Sequence, residues 1–184
     1  MPPQEITNSG SPTAAAHTFT ALDVVEILRE QSWLVADANP AQFAWCERAA
    51  LLLSPQVTER RSLADLLHPV FYYNAQEILA KVESHAVLAR YAAREVLRHL
   101  ALLLLDGTPL TSEQFKEVVT ALKHRVGIGS REIFHPIRLA LTGRAGEGEL
   151  DRVILLLDEA AVASFAVPVK SARERILEFC AALD

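Results

Sequence analysis

Residues 133–144 read Ile-Phe-His-Pro-Ile-Arg-Leu-Ala-Leu-Thr-Gly-Arg. This stretch predicts a short helix that begins at Pro136, because proline fixes φ and needs no amide donor at the first helical position. Gly143 can adopt the left-handed conformation that ends a helix, and Ala140 lets a neighbouring helix approach closely. Arg138 would then lie near the start of this helix and point away from its apolar face.

The segments on both sides of this stretch also have helical character. Apolar residues recur with the helical period from Thr18 onward, and no alternation typical of strands is present. Polar residues that can cap a helix precede most of these segments, several with an acidic or amide side chain three residues later. These caps are Thr20, Asn39 (before Pro40), Ser62, Asn74, Thr111 and Ser171.

Two further segments complete the helical pattern. A long helix is expected from about Ala86 to Leu105, with Tyr91 and Leu103 among the residues that face inward. Another helix is expected over 149–157. The fold class is therefore predicted to be all-α, a compact bundle or cage of about eight or nine helices with short connections.

Composition divides the chain into two parts. Residues 1–18 are dominated by Pro, Ser, Thr, Gly and Ala and are expected to form a disordered leader or linker. Residues 19–184 are expected to form a helical domain. A subdivision of this domain is considered near 106–111, where Gly107 suits the end of a helix.

Composition also excludes several classes of protein. The chain has 184 residues and a net charge of −5, so it is not expected to bind DNA or to coat RNA by bulk charge. It has no apolar run long enough for a membrane span and no signal peptide. Its two cysteines, Cys46 and Cys180, have neither disulfide nor metal-ligand spacing, and we expect reduced thiols in a cytoplasmic protein.

The sequence contains no recognisable catalytic motif. Phosphate-binding, dinucleotide-binding, zinc-protease and serine-hydrolase motifs are all absent. The glycine pair Gly127 and Gly129 follows a helix rather than a strand and is interpreted as a turn. Cys46 lies on an apolar helix face, where a packed thiol is more typical than a nucleophile. We therefore expect no catalytic residue, no cofactor and no metal site.

Positive charge is concentrated in one part of the chain. Five cations between residues 123 and 144 stand against the single anion Glu132, whereas 145–159 is strongly acidic. A second basic pair, Arg60-Arg61, precedes the aromatic run 71–73. Arginines and aromatic rings at helix ends suit a single-stranded RNA loop. On charge alone, solvated arginines at helix ends and tyrosines in the core explain the same residues.

The stretch 136–143 resembles a known signature. It reads Pro-Ile-Arg-Leu-Ala-Leu-Thr-Gly, and bacterial-type glutamyl-tRNA synthetases, which are class I aminoacyl-tRNA synthetases, carry Pro-Leu-Arg-x-Ala-Leu-Thr-Gly in their C-terminal anticodon-binding region. The following Gly148-Glu-Leu150 is similar to the family's Gly-Pro-x-Leu element. Upstream, 61–66 ahead of the aromatic run 71–73 is similar to the family's arginine-containing segment. The resemblance covers roughly 21–183.

This resemblance implies an all-helical, tRNA-binding protein that reads the anticodon loop of the glutamate tRNA. It implies that Arg138 contacts an anticodon base, that the loop at 147–150 lies against the same bases, and that Arg60 or Arg61 recognises the neighbouring base. Base contacts would specify the anticodon, and cations near the end of the 111–126 helix would position the backbone. The expected nucleic-acid contacts are Arg60, Arg61, Lys123, Arg125, Arg131, Arg138, Arg144, Glu147, Gly148 and Leu150.

The family's catalytic half has no counterpart in this sequence. Neither a HIGH-like nor a KMSKS-like motif is present, so the resemblance implies a non-catalytic module that becomes part of a glutamate–tRNA ligase only with a catalytic domain. A domain fragment, one half of a split synthetase with a separate catalytic chain, and a free-standing paralogue all fit. The alternative is a helical protein-interaction or regulatory paralogue that has lost tRNA binding. The net charge of −5, Glu147 and Glu149 favour that alternative, and its signal would be an apolar surface stripe, for which 102–105 is a candidate.

Overall fold

The computed structural model describes residues 18–105, 111–127, 129–146 and 149–183. These residues contain helices and no strands, so the predicted all-α class is confirmed. The expected leader and the expected boundary near 106–111 lie almost entirely outside the described residues, and both stay predictions. In the described part the α-helices are α1 (Ala21–Glu30), α2 (Pro40–Leu53), α3 (Arg60–Phe71), α4 (Ala75–Leu79), α5 (Val82–Leu88), α6 (Ala93–Leu104), α7 (Ser112–Val126), α8 (Ser130–Thr142), α9 (Leu150–Val162) and α10 (Ala172–Leu183), and a short 3₁₀ turn (Ser54–Gln56) follows α2.

Most of the predicted helix starts are confirmed. The side chains of Thr20, Asn39, Asn74, Thr111 and Ser171 each accept a hydrogen bond from a backbone amide in the first turn of the helix that follows. The prediction of a cap at Ser62 is wrong. Helix α3 begins three residues earlier than this cap implies, at Arg60 after Glu59, whose side chain makes no capping hydrogen bond. Ion pairs between Arg60 and two glutamates of α1 stabilise this additional turn.

The prediction of a single long helix over 86–105 is wrong. Two helices occupy this part of the chain, and the described residues therefore contain ten α-helices. The chain breaks into α5 and α6 at Ala92, whose φ of +61° places it in the left-handed region. The break allows both helices to pack against α8. As a consequence Tyr91 is 80% exposed, and Leu103 is half exposed rather than inward.

Helix α8 begins six residues earlier than predicted. It starts at Ser130, so Pro136 lies in its interior instead of at its first position. The predicted end at Gly143 is confirmed, with φ of +67°. A Cβ at Gly143 would approach Ile78 Cγ1 of α4 to 2.9 Å, so this glycine is required both by its backbone and by the close approach of α4. Helix α9 is also longer than expected and continues to Val162.

The core is built around α8. Ile133, Ile137 and Leu141 of this helix are fully buried, and α8 packs against α4 to α7, α9 and α10. Trp45 of α2 is fully buried as well, and its indole Nε1 donates to the Leu156 carbonyl at 2.8 Å. Each such large side chain contributes roughly 1.5–3 kcal/mol through burial. In the described part of the chain no helix is long and apolar enough to cross a membrane.

One buried arginine joins the C-terminal ends of α3 and α8. The guanidinium of Arg175, only 1% exposed, donates to the carbonyls of Pro69 (2.7 Å), Val70 (2.6 Å) and Leu141 (2.9 Å). Carbonyls in the last turn of a helix have no partner within that helix, and the positive charge is favourable at this end of the helix dipole. Burial lowers the pKa of Arg175 to about 10, so the guanidinium stays charged at neutral pH.

The buried Arg175 yields the first prediction. Arg175→Met should lower the free energy of unfolding by about 3–5 kcal/mol, because carbonyls at two helix ends lose their buried donor. Urea denaturation followed by circular dichroism measures this change. Arg29→Met, at an exposed arginine of α1, is the control and should change stability by less than about 0.5 kcal/mol. A loss at Arg175 no larger than the control would contradict the prediction.

Candidate nucleic-acid interface

A cleft of about 510 Å³ opens between α2, α3, α8, α9 and the α8–α9 connection, and Arg175 of α10 is also part of its lining. The C-terminal end of α2 and the last turns of α3 form one side, and the start of α9 forms the other. Apolar side chains such as Leu51 and Val153 line its walls. The charged residues of the lining are Arg138, Arg144, Arg152, Arg175 and Glu149. The cleft is therefore strongly basic, although the protein as a whole is acidic.

Arg138 forms part of the wall of this cleft. It lies in the third turn of α8 and is only 9% exposed, so the prediction that it sits near the helix start was wrong. Gly146 of the α8–α9 connection lies beside it, since a Cβ there would be 3.9 Å from Arg138 Cδ. Desolvation by burial lowers the pKa of the Arg138 guanidinium.

Arg144 is held at the mouth of the cleft by a hydrogen bond to a backbone carbonyl that has no donor within its own helix. Its Nη2 donates to the backbone oxygen of Asp65 in α3. Four residues further along α3 stands Pro69, which has no N–H to give to that oxygen. Arg144 supplies the missing donor. Its side chain also lines a second cavity of about 250 Å³, on the α3–α4 side, together with Tyr72 and Lys81.

Arg152 was not singled out in the sequence, yet it lines the cleft. It lies in the first turn of α9, and its Nε forms an ion pair with Glu149 three residues earlier. The carboxylate that was expected to weaken RNA binding is therefore partly neutralised by a neighbouring guanidinium. The spacing of three residues at a helix start was the signal that could have identified this pair.

The remaining predicted contacts lie outside the lining of the cleft. Arg60 is ion-paired with Glu26 (3.0 Å) and Glu30 (2.7 Å) of α1, while Arg61 is exposed beside it. Leu150 is buried in the core at the start of α9. Lys123 and Arg125 are exposed in the last turn of α7, and Arg131 is exposed in the first turn of α8. Glu147 and Gly148 fall outside the described residues.

The aromatic run contributes to the core more than to the surface. Phe71 is buried and stacks on Trp33 with ring centroids 4.5 Å apart. Tyr73 lies under the Arg175 guanidinium at 4.6 Å, and its hydroxyl donates to the Ala140 carbonyl in the last turn of α8. Tyr72 is half exposed, and its hydroxyl donates to Glu77 at 2.7 Å. The interpretation of these tyrosines as core residues therefore holds for Tyr73 and is wrong for Tyr72.

Comparison with known families identifies the fold. The family described as "Anticodon binding domain" matches residues 16–164. The chain belongs to this family. The match contains α1 to α9 and therefore both walls of the cleft.

Curated relatives of this anticodon-binding domain are glutamate–tRNA ligases, matched in their C-terminal region. Glutamate–tRNA ligase 2 of Syntrophus aciditrophicus is 30% identical over 149 residues, which cover 79% of this chain and 30% of the relative. Glutamate–tRNA ligase of Geobacillus stearothermophilus is 27% identical over 129 residues, covering 70% and 26%. That of Carboxydothermus hydrogenoformans is 31% identical over 93 residues, covering 50% and 19%. The chain thus spans less than a third of the length of these relatives.

The contact between Arg144 and Asp65 yields a second prediction. Arg144→Ala should lower the free energy of unfolding by about 1 kcal/mol, because the Asp65 carbonyl loses its donor. In a Pro69→Ala background the restored amide of residue 69 can bond to that carbonyl, so the same substitution should cost less than half as much. Urea denaturation of the four proteins completes the double-mutant cycle. Equal losses in both backgrounds would show that the proline does not determine this contact.

Burial of Cys46 yields a third prediction. Cys46 is fully buried, and desolvation raises the pKa of its thiol to about 12, whereas Cys180 is partly exposed. A thiol with a raised pKa holds almost no thiolate at pH 8, so Cys46 should not react with Ellman's reagent until the protein unfolds. One thiol should titrate in buffer and two in denaturant. Two fast thiols in the folded protein would contradict the packed position of Cys46.

Proposed function

We propose that this anticodon-binding domain binds the anticodon loop of a glutamate tRNA in the cleft between α2, α3, α8 and α9. The observation that carries the proposal is the lining of the cleft, where Arg138, Arg144 and the Arg152–Glu149 pair meet apolar side chains on an acidic protein. Unpaired bases stack on guanidinium planes and pack against apolar side chains, and arginines bind phosphates and base edges. The glutamate–tRNA ligase names of the relatives suggest which tRNA is bound.

Different residues of the cleft suit different parts of the RNA. The Arg138 guanidinium offers a planar pair of donors that can read the acceptors of a base edge. Glu149 offers acceptors for an exocyclic amine, and its ion pair with Arg152 fixes its position. Arg144 lies at the mouth, where a phosphate can replace the Asp65 carbonyl as its acceptor. We therefore assign base reading to Arg138 and backbone contact to Arg144.

The predicted contact residues outside the cleft are placed to bind the part of the RNA that extends beyond the cleft. Lys123, Arg125 and Arg131 are exposed at the adjoining ends of α7 and α8, where they can contact phosphates. Of the two arginines at the start of α3, Arg61 is exposed, whereas Arg60 is engaged by two glutamates. We assign the RNA contact on this helix to Arg61.

We assign the activation of glutamate to a catalytic domain outside this sequence. The sequence contains neither nucleotide-binding motif of the synthetase family. We propose that this region only binds tRNA and that the chemistry belongs to a catalytic domain, on the same polypeptide or on a separate chain. A cytoplasmic location, where tRNA is charged, is part of the same proposal.

A second function, a protein-interaction module without RNA binding, is favoured by one observation. Leu102 and Leu105, at the C-terminal end of α6, are 64% and 60% exposed. Neighbouring exposed leucines are typical of protein-binding surfaces. The dependence of binding on salt separates the two functions, because phosphate contacts give a steep negative slope of log K against log salt.

Arg138 yields the fourth prediction. Arg138→Ala should weaken binding of a labelled glutamate-tRNA anticodon stem-loop about tenfold or more, because a base edge loses its bidentate donor. Arg138→Lys keeps the charge but not the planar pair of donors, so it should lose preference for the cognate anticodon more than it loses affinity. Fluorescence anisotropy at low and near-physiological salt measures both effects.

Two controls accompany this experiment. A stem-loop with another anticodon separates specific from backbone binding, and circular dichroism confirms that the Arg138 variants are folded, since this side chain is nine-tenths buried. An unchanged dissociation constant for folded Arg138→Ala would contradict the assignment. No RNA binding by the unsubstituted protein at low salt would instead favour the protein-interaction function.

A further inference from the structure

A second basic surface lies outside the cleft, where α5 meets α6. Arg90, Arg94, Arg98 and His99 line one open cavity of about 430 Å³, and Glu95 is the only acidic residue of that lining. We refer to these four cationic or titratable side chains as the α5–α6 basic patch. The cleft and its expected contacts do not include any of them.

The α5–α6 basic patch is connected to the cleft through one face of α8. Arg90 donates from Nη1 to the Nδ1 of His135, a residue of α8. Positions 135 and 138 are separated by less than one helical turn and about 4.5 Å along the axis, so His135 and Arg138 share a face of the helix. Thr142, which lines the cleft, follows on the same face. One hydrogen bond therefore links Arg90 of the patch to the helix that carries Arg138.

The position of Arg94 is not explained by the stability of the fold. It is the second residue of α6, and a cation in the first turn of a helix is unfavourable toward the helix dipole. Its side chain is exposed and makes no hydrogen bond or ion pair with other described residues. An arginine in such a position is available to an external anion.

We propose that the α5–α6 basic patch contacts phosphates of the RNA strand that continues out of the cleft, without reading its sequence. The proposal rests on the proposed function, because it requires an RNA in the cleft. Continuity with the cleft along α8 favours a polyanion that spans both surfaces over a separate acidic protein. Exposed guanidinium groups suit phosphate oxygens, and such contacts position RNA without specifying it.

The test compares charge reversals in two places. Arg94→Glu removes the proposed contact and places an acidic residue where the helix dipole favours one, so the variant should fold at least as well as the parent. Arg29→Glu is the matched control, since it makes the same change in net charge on α1, a helix that packs on α2. Whole glutamate tRNA and a tRNA with a different anticodon are titrated against each protein over a range of salt concentrations.

For Arg94→Glu we expect affinity at low salt to fall about five- to tenfold, equally for both tRNAs, and the slope of log K against log salt to become shallower by about 1. Arg29→Glu should change neither quantity appreciably. Equal behaviour of the two variants would overturn the inference and leave the cleft proposal intact, as would a loss confined to one anticodon. No RNA binding by the unsubstituted protein would overturn the proposed function, and the patch proposal with it.

Discussion

The hydrogen bonds of Arg175 determine how the rest of the structure is arranged. This one guanidinium, carried by the last helix of the described chain, satisfies terminal carbonyls of both α3 and α8. Tyr73 adds a hydroxyl donor to the Ala140 carbonyl and places its ring against the same guanidinium. Two helix ends that would each expose unsatisfied carbonyls are thereby buried together. Because Val70 and Thr142 line the cleft beside these ends, the same interaction fixes its two sides relative to each other.

A proline inside α3, Pro69, links the hydrogen bonds of Arg175 to the lining of the cleft. A proline in a helix normally costs stability, since the carbonyl four residues earlier loses its donor. In α3 the carbonyl released by Pro69 is that of Asp65, and it accepts a hydrogen bond from Arg144. The defect therefore orients an arginine at the mouth of the cleft. The carbonyl of Pro69 itself accepts from Arg175, so one residue of α3 takes part in both the scaffold and the site.

Local and long-range interactions differ in how far the sequence reveals them. The caps at Thr20, Asn39 and Thr111 depend on residues within three positions, and they could be predicted because partner and spacing are visible together. The break at Ala92 and the early start of α8 could not, because packing against other helices overrides local propensity there. The role of Arg175 could not be predicted either, since its partners in α3 and α8 lie 34 to 106 residues away in the chain. Of the arginines that line the cleft, Arg138 and Arg144 lie in or beside the signature and were predicted as contacts, whereas Arg152 enters the lining only because the fold places α9 opposite α2.

Net charge and local charge act on RNA over different distances. At about 0.1 M salt the Debye length is near 10 Å, so the −5 net charge repels an approaching RNA mainly at low salt. In the proposed complex the arginines of the cleft would act at contact, where counterion release makes binding weaker as salt rises. The two effects oppose each other in the association rate, whereas the dissociation rate depends on the contacts alone. Because Glu149 is paired with Arg152, and Glu26 and Glu30 with Arg60, several acidic groups nearest the basic surfaces are already compensated. An acidic protein can therefore hold RNA in this cleft, provided that binding depends on a few well-placed guanidinium groups rather than on bulk charge.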